Sequence, residues 1–426
     1  MPPKSTPALL LGLALLVLLH PAHSAGYPRP VHDDSLPLIF NLSDPGGVLN
    51  FHRAESLLSR ILVPRPVESG NLSDCRALFA AHFRTLQAVF AVPPAANLFA
   101  NARSPPAYSP VPLTEIRSWA LDAHRFQTQT PLGLKTFENQ VFTHDPSAPR
   151  RLVLAAHIDS KFFPTPPHSL FVGATDSAAP VAIILQLAQA LTPLLDRKLR
   201  HDLASPAAAA ERITLQVVLL DGEEAFQEWS DSDSLYGARA LASKWAEPLR
   251  TPTATMKKLR SLDQIDSFIL YDLLGSPQPQ IHHFFEDTAW LFDAFVSAEA
   301  RLVHASLFAR FPSLPSVASH LPANSLQRLR ARSPFFVKRL PGQPVAFGSI
   351  EDDHLPFLKQ GVPVLHLIAA PFPQVWHTIH DDRSALDLQT ILEWSLISQV
   401  VLVQYLGLEP FLDGYRSARR DELVSP

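Results

Sequence analysis

Six side chains with acid–base or metal-binding chemistry recur at one kind of place in this sequence, just past an apolar run. Residues 151–157 (RLVLAAH) end at His157, with Asp159 two places on. Residues 213–220 (ITLQVVLL) run into Asp221-Gly222-Glu223-Glu224. Residues 267–270 lead through Tyr271 to Asp272, and residues 362–368 (VPVLHLI) are followed by Trp376-His377. Asp176 lies in Gly173-Ala174-Thr175-Asp176-Ser177, between the first run and the helical stretch after it. His, Asp and Glu together are the mixed nitrogen and oxygen donor set of Zn²⁺, and three protein ligands leave a fourth position open for catalysis. Alone, a loop carboxylate is ordinarily solvated and a strand-end histidine structural. Four carboxylates and two imidazoles gathered without a cation would repel or stay unsatisfied. Neighbouring side chains at a strand end point in different directions. One of the pair Glu223-Glu224 is therefore free to bind metal while the other faces substrate as general acid/base.

These residues need a frame that brings strand ends together. Short apolar strands alternating with helical stretches predict an α/β fold in three layers. Its centre is a mostly parallel twisted sheet, with helices on both faces. Ligands of such sheets bind outside the carboxyl ends of the strands, where the six residues fall. Helices are expected over 178–195, 234–246, 287–308 and 386–406. Ahead of them, 26–125 read as helical and loop-rich. Residues 74–91 have helical spacing, and 110–123 begin like a helix with Pro112, Leu113, Thr114 and Glu115. Residues 126–145 alternate as strands do. Residues 196–211, with charges and then Pro206 and four alanines, read as a surface insertion. Residues 312–348, rich in proline, serine and arginine, read as a long irregular loop. No internal repeat is visible.

The chain has 426 residues, 46% apolar, enough for one large catalytic domain over 25–426. Net charge is -4 and no basic patch stands out, which argues against nucleic acid as a partner. Lys4, the apolar run 9–19 and the small residues 22–25 form a leader. A bilayer span takes about 20 apolar residues, so 1–24 are expected to be a cleaved signal peptide, leaving no stable membrane span. A secreted or secretory-pathway protein follows, and the sequons Asn41-Leu42-Ser43 and Asn71-Leu72-Ser73 fit it. Cys75 is the one cysteine, so no internal disulfide forms. Arg420-Asp421-Glu422-Leu423 is like a retention tetrapeptide, but Val424, Ser425 and Pro426 follow it and such signals are terminal.

Five blocks carry a family resemblance: LAAHIDSK (154–161), FVGATDSAAP (171–180), LLDGEEAFQEWSDSDSLYGARALA (219–242), YDLLG (271–275) and IEDDHLPFLKQGVPVLHLIAAPFPQVWHTIHDD (350–382). They resemble glutaminyl-peptide cyclotransferases, which share the zinc aminopeptidase-like fold, and span most of 150–405. The resemblance implies zinc-dependent cyclisation of N-terminal glutamine, with glutamate a second candidate, to pyroglutamate with release of ammonia. It implies one zinc per chain on Asp176, Glu224 and His377, with Glu223 as the catalytic acid/base. Asp272 and Asp352 are then hydrogen-bonding carboxylates near Glu223, and Trp229, Ile350, Phe372 and Trp376 line the substrate pocket. Expected partners are peptides or proteins with N-terminal glutamine, and the chain is expected to be a monomer. Some secreted members carry a cysteine pair where this sequence has Ala156 and Val181. A secreted two-zinc aminopeptidase of the same fold is the rival, since His157, Asp176, Glu224, Asp272 and His377 fill its ligand positions too. The surroundings DGEEAF with Trp229, EDDH and FPQVWHT favour the cyclase.

Overall fold

The computed structural model describes residues 28–92, 114–249, 260–339 and 350–412. The leader 1–24 and the tetrapeptide 420–423 lie outside them. A small pair, β1 (Val89–Val92) and β2 (Thr114–Arg117), stands apart from the main sheet. That sheet contains β3 (Ala120–Thr130), β4 (Gly133–Thr143), β5 (Arg150–His157), β6 (Ile213–Leu220), β7 (Ile265–Asp272) and β8 (Val364–Ile368). Their order is β3-β4-β6-β5-β7-β8. Strands β6, β5, β7 and β8 run parallel, and the β3–β4 hairpin adds an antiparallel edge against β6.

The longer helices are α1 (Gly70–Thr85), α2 (Ala179–Leu203), α3 (Tyr236–Ala246), α4 (Ala289–His304) and α5 (Leu388–Tyr405). Alternate residues of a strand point to opposite faces. Leu152, Leu154 and Ala156 of β5 join one core with α2, α4 and α5, while Val153 and Ala155 join a second with Leu241 and Trp245 of α3. Coverage of both faces explains why the parallel strands are apolar throughout. Helix α5 is buried nearly all round, and Asp387 caps it by accepting the Thr390 amide at 2.8 Å. The only helical stretch among the described residues long and apolar enough to cross a membrane is His168–Leu203, and 89% of its most apolar window is buried. Ala156 and Val181 are buried in the same core, as is the free Cys75.

Three expectations change. Within the described part of 110–123 the chain is strand: β2 pairs with β1, and β3 pairs with β4 over its whole length. Non-local pairing overrides a proline-and-acid start that reads as helical. Between β2 and β3, Trp119 is fully buried and its Nε1 donates to Thr192 of α2 at 2.8 Å. The supposed insertion at 196–211 begins as the last turns of α2, with Leu199 buried, and a short helix Pro206–Ala210 follows. The segment from 312 is partly ordered by short helices, Pro315–Ala318 and Ser325–Ala331. Phe335 and Phe336 are buried, and both main-chain amides donate to Glu299 of α4.

Strand β6 leaves the sheet through Gly222, at φ +74°. A Cβ there would meet the Phe137 ring at 2.4 Å. Left-handed backbone costs a non-glycine residue about 1–2 kcal/mol, and overpacking about 1–3 kcal/mol. Gly222→Ala is expected to lower unfolding free energy by about 2–4 kcal/mol in urea titration.

Candidate metal and catalytic site

All the chemistry gathers at the carboxyl ends of β5, β6, β7 and β8. Just past β5, Asp159 is fully buried. Its carboxylate accepts the amides of Gly222 (2.9 Å), Glu223 (3.1 Å) and Glu224 (3.2 Å). Burial opposes its charge, but His157 and the glutamate amides outweigh burial and hold its carboxyl below the ordinary range. Asp159 thus fixes the turn that splays Glu223 and Glu224 apart.

Asp176 comes from the loop between β5 and α2. Asp381 receives this loop from the far side: its Oδ1 accepts from Thr175 N (2.8 Å) and Thr175 Oγ1 (2.9 Å), and its carbonyl from Ala174 N (2.9 Å). Asp381 follows His377 by four residues, so one short segment both supplies a histidine and braces the Asp176 loop.

Asp176, Glu224 and His377 each bring one donor atom within 4.8 Å of the others. His377 Nε2 lies 3.3 Å from Glu224 Oε1 and 3.5 Å from Asp176 Oδ2. Glu224 Oε1 is buried and, though near that imidazole, makes no hydrogen bond. Burial would lower the His377 pKa, but the close carboxylates of Asp176 and Glu224 outweigh it and push it up to about 9. The cluster is built to hold positive charge. One imidazole and two carboxylates, converging with an unsatisfied buried oxygen, fit a zinc site with an open position. Lys161 Nζ sits 3.1 Å from the other oxygen of Glu224.

A second group shares Asp176. His157 Nε2 is 2.9 Å from Asp176 Oδ1 and 3.5 Å from Asp272 Oδ1, yet both its nitrogens are out of line for hydrogen bonds. Asp272 Oδ1 accepts a hydrogen bond from the Ser177 hydroxyl. Burial first, and then the charge of Asp352, push the Asp272 carboxyl up to about 6.

Glu223 is 8% exposed, and no hydrogen bond is recorded for its carboxyl among the described residues. Burial pushes its pKa well up, Glu224, Asp352 and Asp353 add to the rise, and His157 opposes it. Neither Asp272 nor Asp352 hydrogen-bonds Glu223. Asp352 accepts from the Asp353 amide at 2.6 Å and pairs with His366 Nε2 at 2.7 Å. Those partners outweigh burial and keep it below the ordinary carboxylate range. Asp353, which sequence reasoning passed over, is fully buried, and neither of its carboxyl oxygens has a hydrogen-bond partner.

The aromatic residues stand around this cluster at the surface. Trp229 and Trp376 are each 40% exposed, so they are not core tryptophans. Trp376 stacks on His377 at 3.9 Å, and Phe372 meets Trp376 edge-on at 5.0 Å. Trp229 Nε1 donates to Glu351 at 2.9 Å. Ile350 is half-buried beside Glu351. Sequence reasoning also missed the roles of Lys161, Ser177 and Asp381. All three lie inside the five blocks, but their contacts depend on loop paths that spacing does not reveal.

Residues 139–314 and 325–401 match Peptidase family M28. The glutaminyl-peptide cyclotransferase of Bos taurus is 41% identical over 290 residues, 68% of this chain and 72% of that protein. The crystal structure of the Macrostomum lignano glutaminyl cyclase aligns with a TM-score of 0.64 at 32% identity, covering 90% of this chain and 96% of the other. A zinc-dependent exopeptidase from Parabacteroides distasonis, at 15% identity, TM-score 0.51 and coverage of 88% and 99%, shares the fold alone. On these matches the chain belongs to the glutaminyl-peptide cyclotransferases of Peptidase family M28.

Proposed function

We propose that this enzyme cyclises N-terminal glutamine of peptides and proteins to pyroglutamate, with zinc held by Asp176, Glu224 and His377. The observation that carries the mechanism is the separation of roles within Glu223-Glu224. Glu224 converges with two other donors, while Glu223 stands beside them with its carboxyl uncommitted. Bound there, zinc supplies Lewis acidity toward the γ-amide carbonyl. Glu223 takes a proton from the substrate α-ammonium, and the freed amine attacks Cδ, the carbonyl carbon of the γ-carboxamide. The new C–N bond closes the ring, the old C–NH₂ bond breaks, Glu223 returns its proton so that ammonia leaves, and the ring nitrogen sheds its second proton to solvent. Burial and the neighbouring carboxylates raise its pKa above that of a free glutamate, the direction that helps a carboxyl both take and return a proton. Both reacting groups belong to one residue, so orientation and charge are the enzyme's main contributions. Trp229, Ile350, Phe372 and Trp376 form walls for a small side chain.

A two-zinc aminopeptidase would use His157 and Asp272 for its second metal. The Ser177 hydroxyl already engages Asp272 Oδ1 on that side, which supports a single zinc. Ammonia release from a Gln-peptide, with and without a chelator, tests the activity. Chelator-sensitive release with one zinc per chain is expected, whereas two zinc ions and cleavage of leucyl substrates would establish the aminopeptidase. The leader and sequons support entry into the secretory pathway, and Asn71 is exposed as glycan attachment requires.

A further inference from the structure

Arg65 has no part in the chemistry above, yet it is buried to 1% exposure directly behind the metal cluster. It follows the short helix Leu57–Ile61, which is capped by Ser56 accepting the Ser59 amide. All five of its side-chain hydrogen bonds end on main-chain carbonyls. Nε donates to Ile158 (3.0 Å), Nη1 to Ile61 (2.7 Å), Val63 (2.9 Å) and Val172 (2.8 Å), and Nη2 to Gly173 (3.2 Å). Its main chain exchanges two further bonds with Ser160: the Arg65 amide donates to Ser160 Oγ at 2.8 Å, and the Ser160 amide to the Arg65 carbonyl at 3.1 Å.

These acceptors belong to three pieces of chain. Ile61 and Val63 are the residue's own approach. Ile158 and Ser160 are the exit from β5, next to His157 and Asp159. Val172 and Gly173 begin the loop that carries Asp176. Gly173 is at φ +62°, and a Cβ there would lie 2.1 Å from the Asp176 carbonyl, so the loop doubles back tightly on the ligand. Asp381 secures the next two residues from the opposite side. The loop is therefore held by the guanidinium of Arg65 and by the carboxyl and carbonyl of Asp381, neither residue being among the proposed metal ligands.

A buried ion loses several kcal/mol of hydration, and neutral carbonyls recover only part of it. Burial works against the Arg65 charge, and Cys75, Asp159, Asp176 and Asp381 favour it. Arginine suits this place because its planar fork reaches several acceptors at once, which the compact ammonium of lysine does not.

We propose that Arg65 is a positioning residue for the metal centre, its guanidinium fastening the Asp176 loop to the exit of β5 through the carbonyls of Ile158, Val172 and Gly173. The inference rests on Asp176 being a zinc ligand. The test is zinc affinity of the full-length protein, measured by competition with a chromogenic chelator for wild type, Arg65→Lys and Arg65→Met, with urea midpoints recorded alongside. Removing a group that orients a metal ligand typically costs 10–100-fold in affinity. About that loss is expected for Arg65→Met, with a smaller loss for Arg65→Lys. At saturating zinc, kcat is expected to fall in both while KM for a Gln-peptide changes little. Should Arg65→Met fail to fold, Arg65→Lys carries the test. Variants that bind zinc as wild type does and lose only stability would overturn the inference, leaving the zinc site intact. If wild type itself takes up no zinc, the metal reading falls and this one with it.

Discussion

Glu223→Gln is expected to lower turnover by about 10²–10⁴-fold, the usual effect of losing a general acid/base, while zinc stays bound. The substitution keeps volume and burial but removes the group that cycles a proton. Glu223 contributes no donor to the Asp176–Glu224–His377 group, so metal content is expected to match wild type. Its main-chain amide donates to the Asp159 carboxylate and its carbonyl accepts from the Leu235 amide, and the change leaves both in place. KM for a Gln-peptide is expected to shift far less than kcat. Ammonia release and metal analysis on one preparation check both halves, and a variant with full turnover would remove Glu223 from the mechanism.

The second large effect belongs to Asp176→Ala. Asp176 belongs to two of the three metal-type groups among the described residues, and it is 3% exposed. Burial disfavours its charge, but His157 and His377 outweigh burial and hold its carboxyl well below the ordinary range. Alanine there removes a proposed ligand and strands two imidazoles. Ammonia release is expected to drop to the level of chelator-treated wild type. The thermal consequence is equally specific: a ligand at 100 times its Kd stabilises a native state by about 2.7 kcal/mol. Wild-type Tm should therefore rise when zinc is added to apoprotein, while the Tm of the variant stays flat. A zinc-dependent Tm in the variant would move the metal to other ligands.

Much of this site was legible because parallel strands buried on both faces are continuous apolar runs. The polar residue that ends such a run marks the end of the sheet where ligands bind. His157, Glu223, Glu224 and Asp272 were found in that way, and the structure gathers them. The antiparallel hairpin beside β6 was visible as strands but not as sheet, because its partner lies far along the chain. The helix read at 110–123 failed for a related reason: pairing with β1 and β4 decides that segment, and local residue types do not report it. Hydrogen-bond direction was the least legible property. Asp352 was read as a partner of Glu223, yet His366 and the Asp353 amide take its oxygens. Asp159 was noticed only as a strand-end residue, although three amides depend on it.

The three residues proposed as zinc ligands are scattered along the chain. Asp176 precedes α2, Glu224 follows β6, and His377 comes after β8, the last strand among the described residues. No short stretch of nascent chain contains two of them side by side, so metal capture cannot begin as a local event. Closing these long loops costs entropy that is recovered only when distant strands pair, which makes such topologies slow to form. With these ligands zinc is expected to meet a finished scaffold, its binding energy acting on the life of the folded state more than on the route to it. Bound there, the metal would guard this architecture against opening, and the burden of finding it would fall on the strands.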